Sequence, residues 1–583
     1  MKKNMIRLLG ALCAVSSLVL ATGCIEETLP KTEATPETIE KSTSSMEYML
    51  NGLSSYFVAY DTWGSSGNTN DWGYPCQLYM REVMGEDFPV YDASYDYWSH
   101  IESGSGLRYA AYYSWFYYYK FIKNTNNVIA LVPDPANAET KAVYCLGQAL
   151  GLRAMLYMEL STCFEYRTTQ VESLNADAQS MGVVGLTVPI VDENTSKTDL
   201  NNNPRVPFYT MYRFIMTDLN RAETYLEGYE QATKAHANRA VVYGLKARLW
   251  LDMASRFDRE PDALAKQMSA EGSSDGYDDI GINSAMDCYA KAAEYARKAI
   301  GGGNTPLTED QWMNSKTGFN TPQSSWMLGT YVTSKEEINT GYYYNSFIAQ
   351  IASEPTWGMP RYGSAFRLIS KSLYDKISDS DWRKNSWISP DDAGKTEIPE
   401  KYRTELKGDA WSRLPAYANL KFRAGSGSIS TIETGLIASL PIMRVEEMYF
   451  TAAEAALRLG NQDEARDLMN KVMAKRNPKY NAYNYSGTYL GATTTTWTGS
   501  LLENILIQRR VELWGEYGRV FDVRRTGQGI DRRTEDGFTE ECISAMKRNG
   551  IDLTKADTYD WVLTIPKDEL DANPNINEED QNP

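Results

Sequence analysis

Pro441-Ile442-Met443-Arg444-Val445-Glu446-Glu447-Met448-Tyr449-Phe450-Thr451-Ala452-Ala453-Glu454-Ala455-Ala456 opens the stretch that decides the fold, which runs on to Thr526. Met448, Ala452, Ala455, Ala456 and Leu459 recur at helical spacing, and Gly460 behind them is suited to end a helix. Ala465, Leu468, Met469, Val472 and Met473 then alternate steps of three and one, the pattern of a second amphipathic helix. The short turn between the two forces them antiparallel, and the small alanines of the first let the second pack close. Residues 442–475 therefore predict one helical hairpin of tetratricopeptide length, about 34 residues.

The second half of the stretch reads Leu501-Leu502-Glu503-Asn504-Ile505-Leu506, then Gln508-Arg509-Arg510-Val511-Glu512-Leu513-Trp514-Gly515-Glu516-Tyr517-Gly518-Arg519-Val520-Phe521-Asp522-Val523-Arg524-Arg525. Arg509 with Glu512, Glu516 with Arg519 and Asp522 with Arg525 are spaced as i,i+3 ion pairs along a helix. The order of residues says more. It resembles the C-terminal signature of the SusD/RagB family, surface lipoproteins that cap outer-membrane nutrient transporters. Gln508 stands where that signature has its first Glu, and Tyr517 where it has Gly, with Gly518 one place later.

The N-terminus carries Lys2, Lys3 and Arg7, an apolar run from Leu8 to Leu20, and then Ala21-Thr22-Gly23-Cys24. The run is shorter than the ~20 residues a spanning helix needs, so residues 1–23 read as a signal peptide. Gly23-Cys24 sits where a bacterial lipoprotein is cut and acylated, and two or more acyl chains give stable anchoring. In lipoproteins resembling this one, acids such as Glu26 and Glu27 after the anchor mark export to the outer face of the outer membrane. Residues 24–45 have almost no apolar content and read as a tether.

Formal charge is −17, and loss of the three signal cations takes it to −20, which argues against a nucleic-acid partner. Five cysteines remain besides Cys13 and Cys24, without CxxC spacing, so neither a disulfide framework nor a zinc site is expected.

Working outward from the signature, a helix is predicted from about Ser44. An irregular region at 60–106 follows, containing Met84-Gly85-Glu86-Asp87, which resembles a short motif of the same family. Further helices are predicted at 107–132, 138–163, about 207–227, 238–255 and 284–300. The expected fold is mostly α: a tetratricopeptide-like helical-repeat scaffold of about four helix pairs with a large, irregular, loop-rich ligand-binding subdomain. Its expected divisions are an N-terminal region at 46–300, the loop-rich subdomain at 301–439 and a C-terminal region at 440–583. The last region closes on Gln581-Asn582-Pro583, near the family's closing motif.

With only His100 and His236, a His-based triad or zinc centre has little material, and no phosphate-binding or dinucleotide motif is present. No cofactor is expected. A carboxylate-pair glycosidase needs no histidine, but no motif singles out such a pair among 76 acids. The excess is aromatic: 40 Tyr, 14 Trp and 15 Phe. An exposed ring stacks on the C–H face of a sugar while Asn, Asp and Arg reach its hydroxyls. Asn70-Asp71-Trp72-Gly73-Tyr74, Tyr95-Asp96-Tyr97-Trp98 and Trp357-Gly358-Met359-Pro360-Arg361-Tyr362 have that make-up, and each reads either as packing or as a binding platform. The expected site is one exposed face of Trp72, Trp98 and Trp357, with Tyr74, Tyr362, Asn70, Asp71 and Arg361 in support.

The resemblance implies a non-catalytic, lipid-anchored protein of the cell outer membrane that captures oligosaccharide for a SusC-like TonB-dependent barrel. Oligopeptide uptake, as in the RagB branch, and a secreted glycosidase are the competing functions.

Overall fold

The computed structural model describes residues 43–59, 72–90, 107–169, 171–335, 338, 346–493, 495–544, 547–548, 551–552 and 562–583. Cys24, Asn70, Asp71 and Trp98 lie outside them. The chain divides into Met1–Tyr48 and Met49–Pro583, and the second unit carries every element that follows the opening of the first helix.

Helices are α1 (Thr43–Tyr56), α2 (Tyr74–Val83), α3 (Leu107–Ala130), α4 (Thr140–Phe164), α5 (Phe208–Tyr225), α6 (Arg239–Arg259) and α7 (Ala285–Ile300). After strand β1 (Trp326–Gly329), short α8 (Phe347–Ile351) and strand β2 (Pro441–Arg444) come α9 (Val445–Arg458), α10 (Gln462–Met473), α11 (Leu501–Glu512) and α12 (Arg519–Thr526). Polar caps start several of them: Asn238, Ser284 and Ser500 each accept the backbone N–H three residues on. Packing is sequential, α3 on α4, α4 on α5, α5 on α6, α6 on α7, α7 on α9, and α9 on α10 and α11. That is the expected tetratricopeptide-like array. Gly460 ends the α9 segment at φ +86, where any other residue is strained.

The signature stretch departs from one continuous ion-paired helix. Gly515 and Gly518, at φ +75 and +98, break it between α11 and α12. Of the three local pairs, Arg525–Asp522 forms, at 2.7 Å. Glu512 instead accepts from Arg383, Arg444 and Arg476, Glu516 from Arg444 and Lys421, and Arg519 reaches Glu86 at 3.0 Å. The reason is burial. With these groups out of water, each charge takes its partner from whichever element packs beside it rather than along its own helix.

The Met84–Asp87 motif is thereby explained. Arg510 holds the Asp87 carboxylate from two nitrogens, and the Trp514 indole N–H donates to the Asp87 carbonyl at 2.8 Å. Arg532 donates to the carbonyls of Gly85 and Val83. Asn582, in the closing motif, donates to Phe164 and Leu563 carbonyls and accepts from Arg205.

The described residues between β1 and β2 form short turns and helices around their own core of Phe366, Leu368, Ile388, Tyr402, Leu406, Trp411, Leu414, Ala418 and Leu420. The neck of this region is pinned by antiparallel β1–β2 pairing, Trp326 opposite Arg444. Just beyond, Thr330 N–H donates to the Leu440 carbonyl at 2.8 Å and Val332 N–H to the Ser439 hydroxyl at 3.1 Å.

Candidate functional site

The two regions singled out from sequence meet at α8, whose start is fixed by the Ser346 hydroxyl accepting from Ala349 N–H. On one side Trp72 lies against Phe347, ring centroids 6.3 Å apart, and edge-on to Tyr79 at 5.9 Å. On the other, Gly358 packs so closely that a side-chain carbon there would come 3.0 Å from the Ala349 carbonyl. Trp357, beside it, packs against Gly435, where any added carbon would stand 2.3 Å from the indole. Between these supports an apolar cleft of about 30 Å³ is lined by Trp72, Pro75, Val332, Phe347, Leu436 and Leu440. That volume holds about two waters and no sugar ring, so the cleft is a floor and not an enclosed pocket.

The expectation of an exposed face of tryptophans is not met by the two described. Trp72 is 3% exposed and Trp357 6%. Trp72 fills the gap between α2 and the loop-rich region, and Trp357 packs within that region against Gly435, because a large apolar ring that finds a partner surface is driven out of water. Tyr74 is not on a loop at all. Gly73, at φ +84, and Pro75 start helix α2 inside the predicted irregular region, and Tyr74 enters the core. Its hydroxyl donates to Glu159 at 2.8 Å and accepts from Arg81, while Tyr118 donates to the other Glu159 oxygen at 2.9 Å. Burial, followed by the Glu159 charge, pushes the Tyr74 hydroxyl pKa well up.

Among the described residues predicted from sequence, Tyr362 is the one open to solvent, at 69%. Arg361 beside it is half-buried and donates to the Ala410 carbonyl at 2.5 Å. Sequence reasoning missed the other exposed rings among the described residues, Tyr48, Tyr109, Tyr331, Tyr483 and Tyr489. Thr330 and Val332 line the cleft, while Tyr331 between them is 47% exposed. Among the described residues no group of His, Cys, Asp and Glu could hold a metal ion, and no helix is long and apolar enough to cross a membrane.

Residues 379–583 match the SusD family, and residues 79–251 match a second family described as "Starch-binding associating with outer membrane". No curated protein matches the chain. Among solved structures, a SusD superfamily protein of Bacteroides thetaiotaomicron is 20% identical with a TM-score of 0.63, covering 93% of this chain and 100% of its own. A SusD-like carbohydrate binding protein of Bacteroides vulgatus is 22% identical with a TM-score of 0.58, covering 84% and 85%. B. fragilis NanU is 15% identical with a TM-score of 0.61, covering 95% and 99%. At such identities these likenesses speak for the fold alone. With the two sequence matches, the signature on α11 and α12 and the Met84–Asp87 motif that it grips, the chain is a member of the SusD/RagB family.

Proposed function

We propose that the protein is a non-catalytic, surface-exposed lipoprotein of the outer membrane that binds oligosaccharide and delivers it to a SusC-like TonB-dependent barrel. The observation that carries this is the match of residues 79–251 to a family described as starch-binding and associating with the outer membrane. Supporting it, the aromatic-rich segments 72–90 and 346–362 meet at α8, and Tyr362 and Arg361 close the second of them, with Tyr362 exposed and Arg361 half-buried. Anchoring rests on Gly23-Cys24 behind the apolar run of the N-terminus.

Three measurements test the reading. Glycan retention in affinity electrophoresis should fall on Tyr362→Ala with the melting temperature unchanged, since a ring 69% exposed adds little to folding. Cys24→Ala should leave the protein as an unprocessed precursor or free of the membrane fraction. Crosslinking in intact cells followed by mild detergent extraction should recover a large outer-membrane β-barrel. Retention of oligopeptides in place of every glycan would move the assignment to peptide uptake.

A further inference from the structure

The loop-rich region carries positive charge that the protein leaves uncompensated, in a chain where acid is abundant: 76 Asp and Glu against 59 Lys and Arg. Other arginines of this region have protein partners. Arg383 pairs with Asp381 and Glu512, Arg403 with Glu309 and Asp310, and Arg423 with Glu354, while Arg367 donates to Gln350. Arg361 and Arg413 differ. Among the described residues neither meets a carboxylate, including Asp409, which shares the Gly408–Arg413 turn with Arg413.

The two arginines are held to one place. Arg361 sits on the short helix Met359–Tyr362, and its guanidinium donates to Ala410 within the turn that ends at Arg413. That turn is anchored on both sides of Arg413: Trp411 is fully buried against Tyr402 with ring centroids 4.9 Å apart, and Leu414 enters the same core. The Arg413 side chain is exposed on a fixed backbone. Burial, and then the charge of Arg413, holds the Arg361 pKa below its ordinary range, so the two cations feel each other. Tyr362, next along the helix, is 69% exposed.

We propose that Arg361, Arg413 and Tyr362 form an anion-recognition subsite, and that the saccharide taken by this protein carries a carboxylate or sulfate group. This rests on the glycan-binding function above and narrows its substrate class. A guanidinium meets either anion with two parallel N–H donors, which an ammonium cannot match, and the tyrosine ring supplies a face for the sugar that bears the charge. A protein of net charge −17 repels polyanions at long range, so capture of one requires such a local concentration of positive charge.

The test is calorimetric titration of the mature protein with three sets of oligosaccharides: uronate-containing, sulfated and neutral. Wild type should prefer one of the anionic sets, and which one identifies the anion. Arg413→Gln, at an exposed position, should weaken that binding about 10-fold or more with an unchanged melting temperature, as loss of a charged hydrogen bond predicts. Raising NaCl should weaken it as well. Arg361→Lys keeps the charge and should still bind less tightly. Binding of neutral glycans with no preference for anionic ones, or anionic binding that Arg413→Gln leaves unmoved, overturns the inference while the glycan function stands. Failure of all three sets to bind overturns both.

Discussion

A single ring shows how far exposure is decided by distant partners. Trp72 follows Asn70-Asp71 in a polar, glycine-containing stretch, yet it is shut between Tyr79 of α2, the helix that follows it, and Phe347 of the loop-rich region. Trp72→Ala should therefore cost about 3–5 kcal/mol of stability, the range for a core aromatic, and appear as a large fall in melting temperature. A variant that melts like wild type and loses only glycan retention would place the ring at a platform instead. Composition could nominate Trp72, Trp357 and Tyr362 together because all three lie amid Gly, Asn, Asp and Pro. It could not separate them, since what covers a ring is a surface far away in sequence. Tyr362, at the end of its short helix, stays 69% exposed; Trp357 is closed in, packed against Gly435.

Elements were the most legible level. Periodicity alone marks the helical array, since each helix buries one stripe against its neighbour, and α3 to α7 begin and end within a few residues of the predicted bounds. The signature stretch was legible as a signature and not as a geometry, because glycine breaks and buried charges reassign its ion pairs. One buried acid that packs on it has a measurable consequence. Glu82 on α2 is 3% exposed and accepts the Gly518 N–H at 2.7 Å, at a glycine where a side chain would collide with Arg81. Burial pushes its pKa up to about 7, with the Gly518 bond opposing. A carboxyl raised in the folded state contributes stability below its unfolded pKa of about 4.5 and loses it as pH rises through about 7. Glu82→Gln keeps an acceptor for Gly518 and removes the titration. The variant should gain on wild type between pH 4.5 and 7, on the order of 2–3 kcal/mol at neutral pH. Parallel stability curves across that window would show that Glu82 titrates normally.

At the scale of the whole described unit, the loop-rich region and the repeats are joined by a buried ionic seam. Asp381, Arg383 and Lys421 come from the first, and Arg444, Glu446, Arg476, Glu512 and Glu516 from the second. Glu512 is its centre: fully buried, it accepts from Arg383 at 2.8 Å, Arg444 at 3.1 Å and Arg476 at 2.7 Å. Burial alone raises its carboxyl pKa, and the three arginines outweigh that and hold it well below the ordinary range. Removing one member of such a cluster strands the others, which costs more than the pairs themselves add to folding. Glu512→Ala should thus lose about 3–5 kcal/mol, the range for an uncompensated buried charge. The loss should concentrate at the seam. β2, which carries Arg444, also closes the neck beyond which the cleft and α8 lie, so loosening it frees the surface on which Tyr362 and Arg361 stand. Limited proteolysis should then cut between 360 and 410 sooner than within α3 to α7, and glycan affinity should fall with protease resistance. Tyr362→Ala should lose affinity with protease resistance intact. If Glu512→Ala instead opens the repeats and the loop-rich region together, the seam is part of one cooperative core and does not govern the site separately.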